Sequence, residues 1–138
     1  MKFFVPACGD RITLTKSWAF DLYLESRNMK FAVERGLASS INPQWDPKGF
    51  DYMKVRASVP AGTVLECDRI YIRIFSKSAI SNAIDYDSIT WKVISNGKAA
   101  KGSRFWVKLL DTYSIDFKLK DDSLYRNRVK LVREVHDL

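Results

Sequence analysis

Hydrophobic and polar residues alternate along much of this chain, a pattern typical of β-strands with one buried face. The clearest example is the stretch 59–75, which opens with the turn residues Pro60 and Gly62 and continues into a run rich in Val, Ile, Tyr and Phe. The strict alternation at its end divides six side chains between two faces, with Ile70, Ile72 and Ile74 on one and Tyr71, Arg73 and Phe75 on the other. Three isoleucines on one face predict that this face lies in the core.

Shorter segments with the same two-residue period predict further strands at 2–5, 11–15, 18–28, 52–59, 88–95 and 103–110. The aliphatic and aromatic residues of one parity are expected to face inward: Ile12, Leu14, Phe20, Leu22, Leu24, Met53, Val55, Ala57, Val59, Ile89, Trp91, Val93, Phe105, Val107 and Leu109.

Two turn signals predict hairpins. The turn at 60–62 would join the strand 52–59 to the strand that follows it. The pair Asn96-Gly97 would open a second hairpin, with a mobile basic loop at 98–102 before its returning strand. Leu65 and Cys67 fall on the opposite phase to the isoleucines that follow, which predicts a bulge around 66–68.

The segment 28–36 is predicted to form a short helix, because Asn28 can cap it and Gly36 can end it. The region 37–50 is rich in Ser, Asn, Asp, Pro and Gly, which predicts a long loop. Trp45 lies in the middle of this loop, either as a plug that pins the loop to the core or as an exposed binding residue, and we favour the plug.

Past residue 110 the pattern weakens. A closing strand is expected at 114–118, and 124–138 fits either an appended strand or a helix; its recurrent β-branched residues favour a strand. The sequence as a whole predicts a single, mainly β domain spanning 1–138. Its expected architecture is a small antiparallel β-barrel or sandwich, SH3-like or similar, with one or two short helices.

Charge and hydropathy add information about partners. The chain has 138 residues, a formal net charge of +7 and an isoelectric point near 9.5. A basic surface attracts nucleic acid, anionic lipid or an acidic protein surface, and argues against an inhibitor that mimics DNA. No run approaches the roughly 18 apolar residues that a membrane helix needs, so we expect no membrane association and a cytoplasmic location.

Residues that could carry chemistry are few. Cys8 and Cys67 match no zinc spacing, and both are expected to be small core residues, with a single bridge or a reactive thiol as the alternatives. His136 is the only histidine, which leaves little from which to build a catalytic triad or a histidine metal site. We therefore expect no enzyme, no metal and no cofactor. The remaining candidate acids lie in loops where turn chemistry explains them: Asp85, Asp87, Asp121 and Asp122.

The outward faces of the strands carry cations interleaved with aromatic rings, a combination that neutralises phosphates and stacks on bases. The candidate binding residues on these faces are Lys54, Arg56, Tyr71, Arg73, Phe75, Lys92, Arg104, Trp106 and Lys108. A C-terminal ridge would add Arg126, Arg128 and Lys130. The alternative is that these side chains form an ordinary solvated sheet surface, with the ridge serving to discourage aggregation.

Several pieces of the sequence resemble a family of small accessory proteins of tailed bacteriophages, a family of unsettled function. They extend as far as Leu110 and are Val5-Pro-Ala, Trp18-Ala-Phe-Asp-Leu-Tyr, Glu25-Ser-Arg-Asn28, Pro60-Ala-Gly-Thr-Val-Leu, Asp68-Arg-Ile-Tyr-Ile-Arg73, Tyr86-Asp-Ser-Ile-Thr90 and Arg104-Phe-Trp-Val-Lys-Leu109. The resemblance implies an early or accessory protein that binds a host or phage macromolecule in the infected bacterial cytoplasm. It supplies no catalytic residue.

Three functions follow as hypotheses. The first is a non-enzymatic protein that binds nucleic acid through its basic and aromatic strand faces. The alternative is a protein–protein inhibitor of a host or anti-phage defence complex, in keeping with host takeover, for which Trp45 and Trp106 would be natural anchors. The third is a structural component of the phage particle. The oligomeric state stays open in all three.

Overall fold

The computed structural model describes residues 7–71 and 87–119. Within them lie two 3-10 turns, Ser26–Asn28 and Leu109–Ser114. The regular elements of these residues are β1 (Arg11–Leu14), β2 (Trp18–Tyr23), α1 (Met29–Glu34), β3 (Lys54–Val59), β4 (Val64–Tyr71), β5 (Ser88–Ser95), β6 (Lys98–Lys108) and β7 (Phe117–Leu119). The strand predicted at 2–5, the far part of the stretch 59–75 and the segment 124–138 fall outside the described residues.

The strands form two antiparallel sheets, which confirms the mainly β class. The larger sheet has five strands in the order β6-β5-β4-β1-β7, and the smaller consists of β2 and β3. Side chains of both sheets and of α1 meet in one hydrophobic core cluster. The short helix predicted at 28–36 is confirmed as α1, and Gly36 follows it with a φ of +72°.

An aromatic group at the centre of the core ties the two sheets and the helix together. The ring of Phe105 in β6 stacks on that of Phe20 in β2, with 5.0 Å between centroids and 6° between planes. The same ring lies 4.4 Å from Phe31 of α1, and Trp18 lies 4.4 Å from Phe20. Because all four side chains are buried, their contacts fix the small sheet against the large one.

The inward parity predicted from the sequence is confirmed for most positions. The buried ones are Ile12, Leu14, Phe20, Leu22, Leu24, Ala57, Val59, Ile89, Trp91, Phe105, Val107 and Leu109. Val55 and Ile70 are partly buried against the core, whereas Met53 is 37% exposed. Val93 is also partly buried against the core, and Ile94, although buried, lies outside the core cluster. The β5–β6 register shifts between Lys92 and Ile94. The bulge predicted around 66–68 is also confirmed, since the β4–β5 register shifts between Cys67 and Arg69.

The hairpin predicted across the turn at 60–62 is wrong. β3 pairs with β2 through six residue pairs, and β4 lies in the other sheet between β1 and β5. The Gly62 N–H donates to the Leu14 carbonyl at 2.8 Å, and the Leu14 N–H donates to the Thr63 carbonyl at 2.9 Å. The turn therefore passes the chain from the small sheet to the edge of β1. The residues of the turn determine where the chain bends. They do not determine that β4 pairs with β1 and β5 rather than with β3, which depends on long-range packing.

The mobile basic loop predicted at 98–102 is also wrong, because these residues belong to β6. Asn96 and Gly97 both have positive φ, 52° and 79°, as a two-residue hairpin turn requires, so the returning strand begins at once. Gly102 has a φ of +76°, and a Cβ there would collide with the Glu34 carboxylate. The exposed Glu34 side chain could move aside, so it is the positive φ that makes this position favour glycine.

Two single-residue expectations are corrected as well. Trp45 does not plug its loop: it is 53% exposed and stacks on Tyr52, with 4.2 Å between ring centroids. Backbone bonds hold the loop instead, from the Gln44 N–H to the Leu24 carbonyl at 3.0 Å and from the Met53 N–H to the Gln44 carbonyl at 2.8 Å. Cys67 is buried as predicted, but Cys8 is exposed because it lies in a turn ahead of β1.

The closing strand predicted at 114–118 corresponds to β7, which is shifted to Phe117–Leu119 and pairs with β1. Among the described strands no closed barrel is found, so the barrel stays a prediction. No helix in the described part of the chain has the length and apolar character needed to cross a membrane.

The aromatic core gives the first prediction. Replacing Phe20 by alanine should lower the free energy of unfolding by about 3–5 kcal/mol, because it leaves a cavity beside Phe105. Phe50 is 89% exposed, so Phe50→Ala is the matched control and should change the same quantity by less than about 0.5 kcal/mol. Urea unfolding of both variants measures the difference; equal losses would contradict this description of the core.

Candidate functional site

The outer face of the five-stranded sheet gathers cations and rings from β4, β5 and β6. The strand register aligns Arg69, Thr90 and Trp106 in one cross-strand row and places Lys92 opposite Arg104 in the next. Directly opposed side chains in such rows lie within contact distance. We call this surface the basic face, and its members are Arg69, Tyr71, Thr90, Lys92, Arg104, Trp106 and Lys108.

The bulge in β4 adds a carboxylate to the basic face. The register shift leaves Asp68 outside the regular pairing of β4 with β5. One of its oxygens lies 3.1 Å from Lys92 Nζ, and the other lies 3.3 Å from Arg104 Nε. Asp68 therefore holds two cations from neighbouring strands side by side.

The indole of Trp106 is covered by two other side chains. The Tyr23 ring stacks on it, with 5.4 Å between centroids and 9° between planes, and the Arg27 guanidinium lies 5.3 Å from its centre. The indole Nε1–H donates to Glu25 at 2.6 Å. Lys108 Nζ in turn lies 5.2 Å from the centre of the Tyr23 ring. The tryptophan is thus a fixed platform that orients the arginine.

The buried side chain of Asn28 fixes the backbone beneath this platform. Its Oδ1 accepts the Trp106 N–H at 2.7 Å, and its Nδ2 donates to the carbonyls of Trp106 and Tyr23 at 3.0 and 2.9 Å. Among the strands that the structure describes, β6 lies at the edge of its sheet, and the N–H and carbonyl of Trp106 bond to Asn28 instead of to a further strand. One amide side chain supplies the missing partners.

A shallow depression of about 60 Å³ opens in the basic face, lined by Arg27, Asp68, Arg69, Thr90, Arg104 and Trp106. Arg27 is paired with Glu25 at 2.9 Å and Arg104 with Asp68. Arg69 is exposed and makes no ion pair with any residue that the structure describes. Three arginines therefore line the depression. A guanidinium group presents its N–H donors in a planar fork that matches the oxygen geometry of a phosphate group.

The carboxylate of Glu25 stays ionised beside this depression. Its partial burial favours the neutral acid, but hydrogen bonds from Trp106, Ser26 and Arg27 outweigh that effect and lower the pKa of Glu25. A carboxyl group whose pKa is lower in the folded than in the unfolded state stabilises the fold when the pH is above its unfolded-state pKa. This contribution is lost as the pH falls through its folded-state pKa. At neutral pH the pairing of Glu25 with Arg27 and Trp106 is therefore fully formed.

The structure brings together five of the predicted binding residues and separates two others. Tyr71, Lys92, Arg104, Trp106 and Lys108 share the basic face, with Tyr71 52% exposed. Lys54 and Arg56 lie on β3 in the other sheet. The remaining five are outside the described residues: Arg73, Phe75, Arg126, Arg128 and Lys130.

Lys54 and Arg56 belong to a second, more balanced group of charges. Arg56 pairs with Asp21 at 3.2 Å. Burial and the charge of Asp21 raise the pKa of Asp111, while the charges of Arg56, Lys108 and Lys54 act against this rise. Because they lie on β3 in the other sheet, we do not include Lys54 and Arg56 in the basic face, although Lys108 of that face also acts on Asp111.

Four residues of the candidate site were not among the binding residues predicted from the sequence: Arg27, Asp68, Arg69 and Thr90. Arg69 has the same parity as Tyr71, and this signal could have found it. Thr90 lies between Arg69 and Trp106, but this neighbourhood follows from the strand register, which the sequence alone does not give. Arg27 and Asp68 depend on a 3-10 turn and a bulge, whose side-chain directions the alternation does not give.

No group of three or more His, Cys, Asp or Glu side chains suited to a metal ion occurs within residues 7–71 and 87–119. Comparison of the chain with protein-family models, curated proteins and solved structures finds no match. The function must therefore be argued from the site itself.

The buried amide gives the second prediction. Asn28→Ala should lower the free energy of unfolding by roughly 2–4 kcal/mol, because it leaves one N–H and two carbonyls without their partner. Asn28→Asp removes the donor and places a carboxylate against two carbonyls. Its loss of unfolding free energy relative to the wild type should shrink as the pH is lowered, because the acid becomes protonated.

Chemical denaturation at neutral and acidic pH measures both effects, with indole fluorescence as the signal. The exposed loop residue Asn42 supplies the control, since Asn42→Ala removes the same amide from solvent-exposed backbone. A loss at Asn28 no larger than the loss at Asn42 would show that the amide does not hold the edge of β6.

Proposed function

We propose that this protein is a non-enzymatic binding protein that engages single-stranded nucleic acid through the basic face. The observation that carries the proposal is the depression that Arg27, Arg69 and Arg104 line together. Phosphate contacts supply most of the affinity in such interactions, and arginine is well suited to them because it offers several donors in a planar fork.

The charge balance of the face supports an anionic ligand. Arg27, Arg69, Lys92 and Arg104 surround the depression or border it, whereas Glu25 and Asp68 are the carboxylates paired with them. These two carboxylates hold the cations in position without matching their number. The surplus of positive charge agrees with the net charge of the whole chain, +7.

Two kinds of ring have different parts in the proposal. The Trp106 ring is already covered by Tyr23 and Arg27, so it supports an arginine rather than stacking on a base. Tyr71 is half exposed at the end of β4 and offers a surface on which a base can stack. A nucleic-acid strand that places a phosphate at the arginines would then extend along β4 to Tyr71, two residues beyond Arg69.

The setting remains part of the same proposal. A phage accessory protein that acts in the cytoplasm of an infected bacterium would find single-stranded RNA and DNA there as ligands. The proposed binding surface would also include five predicted residues outside the described ranges: Arg73, Phe75, Arg126, Arg128 and Lys130. An SH3-like barrel remains the proposed architecture, but binding at the basic face does not require it.

Binding experiments on a matched pair of double variants give the third prediction. Arg69→Gln/Arg104→Gln removes two charges from the basic face and should weaken binding to a single-stranded oligonucleotide by at least about tenfold at low salt. Lys54→Gln/Arg56→Gln removes the same charge from the other sheet and should keep most of the affinity, because these side chains face Asp21 and Asp111.

A salt titration sharpens the comparison. The slope of log K against log salt concentration should become shallower by about 0.7 for each phosphate that the first double variant no longer neutralises, and it should change little in the second. Single-stranded and duplex DNA and RNA are tested in parallel by fluorescence anisotropy. Absence of binding to every one of them at low salt, or equal losses of affinity in the two double variants, would contradict the proposal.

A second candidate function, a protein–protein inhibitor, is favoured by a different surface. Ile41, Trp45 and Phe50 are 62%, 53% and 89% exposed in the loop between α1 and β3. Backbone bonds hold this loop to the end of β2, as from the Gln44 N–H to the Leu24 carbonyl. Rigid, exposed aromatic side chains resemble the anchors of protein interfaces.

The fourth prediction separates the two candidates. If the loop is the functional surface, a single host protein should bind in stoichiometric amount from nuclease-treated lysate. Trp45→Ala/Phe50→Ala should abolish that capture, and Arg69→Gln/Arg104→Gln should leave it unchanged. If the basic face is the functional surface, nuclease should remove the captured material, and the loop variant should bind oligonucleotides like the wild type.

A further inference from the structure

Cys8 and Cys67 lie on neighbouring segments of the fold although 58 positions separate them in the sequence. The Cys67 backbone is held on both sides: its carbonyl accepts the Gly9 N–H at 2.7 Å, and its N–H donates to the Asp10 carbonyl at 2.9 Å. The turn that carries Cys8 is thereby fixed beside Cys67 of β4, and Cys8 is among the groups that raise the pKa of Cys67. Both cysteines are present as free thiols.

The two cysteines differ in exposure, and the surroundings of Cys67 disfavour its thiolate. Cys8 is exposed and Cys67 is buried. Burial, together with Cys8, Asp68 and Glu66, raises the pKa of Cys67 to about 12. Because the thiolate is the reactive form and an oxidant needs access, Cys8 is the thiol that reacts first.

We propose that Cys8 and Cys67 form an oxidisable pair that closes a reversible intramolecular disulfide, fastening the segment ahead of β1 to the bulge of β4. The site takes a small-molecule disulfide, such as oxidised glutathione, as its oxidant. The backbone bonds of Cys67 to Gly9 and Asp10 already hold the turn of Cys8 beside β4, so closure does not have to bring distant segments together.

The exchange proceeds in two balanced steps. The Cys8 thiolate attacks one sulfur of oxidised glutathione, forms a mixed disulfide and releases one glutathione thiolate. The Cys67 thiol then loses its proton to solvent and attacks the Cys8 sulfur, which releases the second glutathione. Two protein thiols are oxidised to one disulfide, and one glutathione disulfide is reduced to two glutathiones.

The environment decides which form is present. In a reducing cytoplasm the glutathione pool favours the dithiol, and a shift of that pool toward its oxidised form favours the bridge. The inference is independent of nucleic-acid binding, since neither cysteine belongs to the basic face. It follows from the backbone bonds that hold the turn of Cys8 beside Cys67 and from the unequal exposure of the two thiols.

Titration with defined ratios of reduced and oxidised glutathione tests the inference, with peptide mapping by mass spectrometry as the readout. We expect monomeric protein that has lost two hydrogens and yields a peptide cross-linked between Cys8 and Cys67. The oxidised protein should also melt at a higher temperature than the reduced protein, because the cross-link restricts the unfolded chain.

Two variants provide the controls. Cys8→Ser should show neither the cross-link nor the rise in melting temperature. Cys67→Ser should stop at the mixed disulfide of Cys8 with glutathione. Persistence of that mixed disulfide in the wild-type protein, or dimers joined through Cys8, would overturn the proposal, because either result means that Cys67 cannot reach the Cys8 sulfur.

Discussion

The side-chain amide of Asn28 is the interaction on which the candidate site depends. It is buried at the end of the 3-10 turn Ser26–Asn28, against β6, and among the described strands it supplies the hydrogen bonds that a neighbour of β6 would otherwise make. Those bonds fix the backbone of Trp106 and so fix its indole. The indole then sets the positions of Glu25 and Arg27, one by hydrogen bonding and one by stacking. A buried amide thereby determines where a surface guanidinium lies.

Carboxylates organise the basic face rather than neutralise it. Glu25 and Asp68 each contact a cation that borders the depression, and each also contacts a second group that limits its own movement. Exposed ion pairs of this kind contribute little to stability on their own. In the proposed function their effect is positional, because a preorganised arginine would lose less side-chain entropy on meeting a phosphate. Arg69, without such a pair among the described residues, adds charge rather than position.

The sequence predicted local features well and long-range partnerships poorly. Two-residue alternation found the buried faces, and a slip in its phase found the bulge at Cys67, because both depend only on neighbouring residues. The same parity placed Lys54 and Arg56 outward correctly, but it could not show that they lie on a different sheet from Arg69. Arg27 was not found at all, because its direction depends on a short turn that is held by contacts distant in sequence.

Residue-resolved NMR during titration with a single-stranded oligonucleotide tests the central claim most directly, since it reports which surface meets the ligand. The account predicts that the indole N–H of Trp106 and the backbone amides of Arg69, Thr90 and Arg104 shift together, while those of β3 stay in place. Shifts confined to the exposed loop around Trp45, or no shifts at low salt, would contradict it.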